Sequence, residues 1–393
     1  MDVQRLKDNF QHVGQHGEEV ALFFYSDLFV RNPHLRDMFP IGMGGQRDKL
    51  LGALVRIVSQ VDDLPNLVPF LQQLGRDHRK FSVVESHYPE VGASLIATLR
   101  YFSGTSWTPE LEADWSAAYG LVAKTMVESA NEEAPIQPAW WNAQVVAHER
   151  RRFDLAVFRV VCDQPLSYLP GQSVAVETRL RPRAWRYLSM ANAPRPDNSI
   201  DFHVKLVDGG PVSSALVRDL QVGDWLRLGS PIGQLVLDQR SPRDILLVAG
   251  GTGLAPVKAI LEQLGQRANP PRVHLFFGAP EVDALYDLED LGKRATTMPW
   301  LTLVPVSEAA DAGADGSWRP GQPPGVRQGL LPDVVAGYGN WHGHDAYVCG
   351  SAAMVEATVH RLWRLGVPQD RIRYETFLTG QLGNPLGNQG EVR

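Results

Sequence analysis

The sequence predicts a multidomain α+β chain: an all-α region, then an antiparallel β-barrel, then a parallel α/β domain. Three observations predict it. At 393 residues the chain is longer than a single hydrophobic core usually supports. Its apolar residues change period twice along the chain. A polar, proline-punctuated stretch, NEEAPIQPAWWN at 131–142, stands at the first change and reads as a linker. The boundaries that follow are 1–133 helical, 134–142 linker, 143–240 barrel, 241–378 α/β and 379–393 a disordered tail.

Composition narrows the function. Hydrophobic residues make up 44% and charged residues 21%, as in an ordinary globular protein. The 38 basic and 44 acidic side chains leave a net charge of −6, so no global basic field exists for nucleic acid. The two cysteines, Cys162 and Cys349, have no zinc or disulfide spacing. The first ten residues, MDVQRLKDNF, are too polar for a signal peptide, and no apolar run reaches the roughly 20 residues that span a bilayer. The expectation is a cytoplasmic protein with no nucleic-acid partner and no membrane insertion. Oligomeric state is not legible.

In residues 1–133 apolar side chains recur at three- and four-residue spacing, the mark of helices. Leu67, Leu71, Leu74 and His78 form one such stripe, so His78 takes a core-facing position. A buried imidazole needs a partner, and a backbone carbonyl would satisfy a lone one. Tyr25 shares a helical face with Ala21, Leu28 and Phe29, and Gln46 shares one with Leu50, Leu54 and Ile57. Three polar tips thus point inward from three helices, which suits a domain that encloses something.

From 143 short alternating runs such as FHVKLV and DWLRLG lie between Gly, Pro and Asp turns, the pattern of an antiparallel sheet. PGQSVAV, WRYLSMANAP and DGGPVSSAL follow one another here. An arginine, a serine and a Gly-Gly turn opening a helix can hold phosphates. Each piece alone is also an ordinary strand or turn. From 241 strands alternate with helices, which implies a parallel sheet. ILLVAGGTGLAPVKAIL runs from a strand through Gly250, Gly251, Thr252 and Gly253 into a helix. Such a turn lets backbone N–H groups approach a pyrophosphate. The spacing is not GxGxxG, and a tight turn without ligand is the plain alternative. CGSAAM at 349–354 repeats the design, and YETF at 374–377 ends the folded part.

Taken in order, PGQ, Arg186 to Ser189, GGPVS, GGTGLAP, CGSAAM and YETF resemble the ferredoxin–NADP⁺ reductase-like superfamily. The resemblance implies a FAD-binding barrel and a nicotinamide-dinucleotide domain. It implies that Arg186, Tyr187, Ser189, Gly210, Val212 and Ser213 hold FAD, and that Gly250, Gly251, Thr252 and Gly253 hold the dinucleotide. Cys349 and Gly350 would lie near the hydride path, with Phe377 stacked on the flavin. Glu281 and Asp283, after FFGA, would repel a 2′-phosphate, and no local cation would receive one. NADH is expected, with NADPH possible.

Residues 5–130 resemble the globin domain of bacterial flavohaemoglobins, through FYSDLF, NPHLRDMF, the Gln46 helix, DHRKF, ESHYPEVG and DWSAAYG. The domain order agrees as well. The resemblance implies haem b with His78 as iron ligand, Tyr25 and Gln46 on the distal side, Phe39 and Leu50 packing the pocket, and Tyr88 orienting His78. His87 is the rival ligand. The implied activity is NAD(P)H-dependent nitric oxide dioxygenation, turning NO and O2 into nitrate. The alternatives are a haem-based oxygen-binding or gas-sensing protein whose reductase half keeps iron ferrous, and a reductase that feeds a separate oxygenase. Three positions depart from the family pattern: Ala130 where a proximal glutamate is usual, Asp77 for a lysine, and Leu188 for the flavin-facing tyrosine.

Overall fold

The computed structural model describes residues 1–309 and 325–377. The expected tail at 379–393 lies outside the described residues. Clustering of contacts divides the chain into a helical unit, Met1–Trp141 with Pro182–Ala184, and a second unit formed by the rest.

The helical unit carries α1 (Val3–Gly14), α2 (Glu18–Arg31), α3 (Gly44–Ser59), α4 (Leu64–His78), α5 (His87–Ser103) and α6 (Pro109–Glu133). Local chemistry sets several ends. The Asp2 carboxylate accepts from the Arg5 N–H to open α1, and Thr108 Oγ accepts from Leu111 N–H ahead of Pro109 to open α6. One core joins Leu6, Val13, Phe24, Tyr25, Leu28, Leu99 and Trp115, with Phe39, Leu50 and Leu54 at its margin. A second joins Leu67, Leu71 and Met126, with Leu74, Val122 and Tyr88 against them.

Helices α4 and α6 cross in close contact at Gly75. A Cβ there would run into the Met126 backbone and lie 2.6 Å from Ser129 Oγ. Ser129 Oγ donates to the Gln72 carbonyl at 2.8 Å across the same crossing. Gly75→Ala must therefore push the helices apart. It should cost about 1–3 kcal/mol, as overpacked cores do, and lower the midpoint of thermal unfolding; an unchanged midpoint would show that the crossing yields freely.

The second unit begins with β1 (Trp141–Arg152), β2 (Leu155–Cys162), β3 (Ser173–Thr178), β4 (Arg181–Ser189), β5 (Ser199–Lys205), the one-turn α7 (Pro211–Ser214) and β6 (Trp225–Leu228). The strands form an antiparallel sheet in the order β4-β3-β6-β1-β2-β5. A bridge between Met190, just past β4, and Phe202 of β5 joins the two edges, so the sheet curls into a barrel.

Next come β7 (Asp244–Gly250), α8 (Leu254–Gly265), β8 (Val273–Ala279), α9 (Leu288–Thr297), β9 (Leu301–Ser307), β10 (Arg327–Gln328), α10 (Leu331–Tyr338), β11 (His344–Ser351), α11 (Ala352–Arg364) and β12 (Ile372–Phe377). The sheet order is β10-β9-β8-β7-β11-β12, with parallel pairing throughout. Its strands are near-continuous apolar runs because helices cover both faces; Leu246, Leu247, Val248 and Ala249 are fully buried. The chain leaves β7 for β8 on one side and later returns to β11 on the other. That reversal opens a crevice beyond the carboxyl ends of β7 and β11, where open α/β sheets bind ligands.

No described helix is long and apolar enough to cross a membrane.

Candidate functional site

His78 is the last residue of α4, and its ring is partly buried. The Nδ1 atom lies 2.7 Å from the Leu74 carbonyl oxygen. A carbonyl only accepts, so Nδ1 carries the proton and donates, which leaves the Nε2 lone pair for a metal. Burial holds the imidazole below its ordinary pKa, in the neutral form that ligation requires. The donor chemistry fits a haem iron. The Phe81 ring stands edge-on to His78 at 5.9 Å between centroids.

Tyr88 packs with Leu74, Val122 and Met126. The bond that orients His78 comes from the Leu74 carbonyl, one turn back on the same helix, and Tyr88 makes no hydrogen bond to the imidazole. On α6, Ser129, next to Ala130, donates to the Gln72 carbonyl of α4, while Met126 packs with Leu67 and Leu71. His87, the rival ligand, opens α5, and its Nδ1 accepts from the Val84 N–H at 3.3 Å.

Tyr25 is 6% exposed. Its hydroxyl reaches the Gln46 carbonyl at a long 3.4 Å, and burial pushes its pKa up to about 12, so the phenol keeps its proton and can donate. Phe39 and Phe29 pack on it, at 5.5 and 5.8 Å between centroids. Gln46 and Leu50, on α3, are partly buried.

In the barrel, β3 and β4 pair with Ser173 opposite Ser189 and Ala175 opposite Tyr187. Residues opposite each other share a face. Tyr187 therefore faces the same way as Ser189, while Arg186 and Leu188 face the other way. The tyrosine of this chain is not a one-place substitute for an aromatic at 188. Arg186 is exposed, and its guanidinium donates to the Trp185 carbonyl at 2.8 Å. Ser213 is committed to its own turn: Oγ accepts from the Val207 N–H at 3.0 Å and donates to the Gly210 carbonyl at 3.1 Å. What the Gly210–Ser213 turn keeps for a phosphate is backbone, since Val212 is buried at 1% exposure.

Gly250, Gly251, Thr252 and Gly253 link β7 to α8. Gly251 has φ +54°, a left-handed conformation natural to glycine. A Cβ on Gly253 would strike the Cys349 carbonyl and lie 2.8 Å from Gly350 N. Gly350, at φ +159°, faces Gly250 across the crevice, with the Met354 methyl between them. Both turns present backbone of the kind that lets N–H groups approach a pyrophosphate. Cys349 is fully buried among Leu247, Ala249 and Leu254, and burial raises its thiol pKa, so it stays a protonated core residue.

Sequence reasoning missed Glu375. It pairs in register with Cys349. Ser173 Oγ donates to Glu375 Oε1 at 3.0 Å and lies 3.2 Å from Ser189 Oγ. Ser173 has one proton, so Ser189 donates to Ser173. Glu375 Oε2 is buried and has no partner. Burial raises the Glu375 pKa to about 7. Such a group, at the end of a hydroxyl chain, can hold and release a proton near neutrality. An acid inside the terminal strand IRYETF was the available signal; the side chain of Phe377, the residue expected on the flavin, lies outside the described residues.

The expectation that no cation stands near the acidic loop after FFGA is corrected. Arg152, at the end of β1, reaches Asp283 at 2.8 Å, a partner brought in from the barrel that no local motif displays.

Family models match three stretches: a globin model at 22–126, an oxidoreductase FAD-binding domain at 142–237 and an oxidoreductase NAD-binding domain at 247–360. A flavohemoprotein of Bacillus subtilis (strain 168) is 27% identical over 396 residues, covering 95% of this chain and 96% of the relative. The electron transfer component of a Pseudomonas putida xylene/toluene monooxygenase is 32% identical over 243 residues, covering 61% of this chain and 66% of its own. A flavohemoglobin of Malassezia yamatoensis, solved with bound FAD and heme, shares the fold over 95% of this chain and 99% of its own, at TM-score 0.76 and 17% identity. The chain carries a globin domain in one polypeptide with FAD-binding and NAD-binding oxidoreductase domains, and over nearly its whole length it is similar to flavohaemoproteins.

Proposed function

We propose that this oxidoreductase carries electrons from NADH, or NADPH, through FAD to a haem iron held by His78, and converts nitric oxide and dioxygen to nitrate. The balance is NO + O2 + e⁻ → NO3⁻. The observation that carries the reading is the anchored, neutral imidazole of His78, its Nδ1 held 2.7 Å from Leu74 O, in one chain with a dinucleotide crevice. When bound, the cofactors supply hydride acceptance, single-electron passage and gas binding.

The residues supply the rest. His78 fixes the iron and its ring plane through Leu74. Tyr25 would offer its buried hydroxyl to a bound gas, with Gln46 beside it, while Phe39 and Leu50 would help exclude water. Gly250 to Gly253 and Gly350 let backbone approach the dinucleotide. Glu375, Ser173 and Ser189 hold a proton and can move it toward the flavin side of the barrel. Since Arg152 neutralises Asp283, the preference for NADH rests on Glu281.

The test is direct. The purified chain, loaded with haem and FAD and given NADH and oxygen, should consume NO and release nitrate in equal amount. Stable oxygen binding without NO turnover would favour gas sensing, and a chain without haem would favour a reductase serving a separate oxygenase. Tyr25→Phe should raise the oxygen dissociation rate about tenfold, the loss of one hydrogen bond of about 1.4 kcal/mol. An unchanged stopped-flow rate would remove Tyr25 from the distal side.

A further inference from the structure

Lys80 is only 4% exposed, rare for a lysine. Its ammonium folds back onto the Asp77 carboxylate, three residues earlier, and lies 5.0 Å from the centroid of the Phe81 ring. Asp77 immediately precedes His78, and Lys80 follows it by two. Phe81 is the ring that stands edge-on to His78. Both charges act on the imidazole, in opposite senses.

Helix stability does not account for this arrangement. A surface pair at this spacing contributes about 0.2–0.5 kcal/mol, whereas burying an ion pair costs more than burying apolar groups of equal volume. A leucine at position 80 would serve the core better. What a buried pair provides, and an apolar residue does not, is a fixed local field in a low dielectric.

We propose that the Asp77–Lys80 pair, its ammonium buried and its carboxylate half-buried, tunes the iron through His78, the two charges setting the reduction potential of the proximal site. The proposal rests on His78 holding the haem. Reduction adds an electron, so an ammonium nearby favours the ferrous state and a carboxylate opposes it. Asp77 and Lys80 are positioning residues here, acting through the imidazole.

The experiment is a spectroelectrochemical titration of the haem Soret band in the full chain with haem and FAD bound. Lys80→Met removes the ammonium that faces the Asp77 carboxylate. It should lower the ferrous-to-ferric ratio about tenfold at a fixed potential, about 59 mV for one electron. Asp77→Asn should move the ratio the other way. The double variant Asp77→Asn/Lys80→Met should return toward the original value, and Lys80→Arg, which keeps the charge, should stay near it. A merely structural pair would not give opposite signs that cancel.

If haem stays bound and Lys80→Met leaves the potential unchanged, the proposal is overturned while the ligand assignment stands. A double variant that shifts as far as Lys80→Met also overturns it. If Lys80→Met takes up no haem, Asp77→Asn decides by its sign. A native chain whose Soret band does not depend on His78 overturns both readings.

Discussion

Replacing His78 with alanine should leave the purified chain without a Soret band and without carbon monoxide binding. The same variant should still reduce ferricyanide with NADH at close to the native rate. The ligand bond is the largest single interaction assigned to the helical domain, and nothing nearby replaces it. Among the described residues no group of three His, Cys, Asp or Glu side chains could hold a metal. His87 spends its Nδ1 on the Val84 N–H. The fold itself should survive, because the variant removes one hydrogen bond, to Leu74 O, near the end of a helix. That loss is about 1 kcal/mol. Circular dichroism of the variant should therefore match the native chain, and added imidazole should restore part of the Soret absorbance. An unaltered Soret band in the alanine variant would remove the haem assignment and the electron path built on it.

What the sequence made legible follows from range. Periodicity is a local property, so the helical, barrel and α/β regions could be read from apolar spacing alone. The Leu67, Leu71, Leu74, His78 stripe placed His78 on the core face, but the orienting role was expected of Tyr88, and the bond comes from the Leu74 carbonyl one turn back. The glycine turns at 250–253 and 350 were legible because backbone conformation leaves its mark on residue type. Pairings between distant segments left no such mark. Glu375 meets Ser173 across 202 positions, and Arg152 meets Asp283 from a different domain. At two positions the geometry qualifies residue type. Tyr187 shares a sheet face with Ser189, not with Arg186, as alternation along β4 and the register with β3 both require. Ser213 looks like a phosphate ligand by type, yet its hydroxyl closes the turn that presents it. Residue type suggested a chemistry in both cases, and geometry decided whether the group was free to perform it.

Glu375→Gln should slow NADH-driven ferricyanide reduction by roughly 10²-fold, the lower end of what a positioned acid contributes. It should also abolish an inflection near pH 7 in the native profile. The sign follows from the raised pKa. Burial lifts Glu375 from an ordinary 4.5 to about 7, so the native site holds its proton through the acidic range and loses it as pH rises through about 7. If the protonated carboxyl is the working form, native turnover falls along that rise, and the glutamine variant is slow and flat. Stability of the native chain falls along the same rise. A folded state that binds this proton more tightly than the unfolded chain is favoured fully below about 4.5 and loses that advantage as pH climbs through 7. The buried carboxylate then costs on the order of 3 kcal/mol at pH 8, and a neutral glutamine avoids it. The variant should thus gain in thermal midpoint relative to the native chain between pH 5 and pH 8 while losing turnover. A residue kept only for packing gives no such opposition: its replacement would lower activity and stability together, and the native pH profile would keep its shape in the variant. Parallel losses of that kind would return Glu375 to the core and leave Ser173 and Ser189 as a hydrogen-bonded pair without a proton to pass.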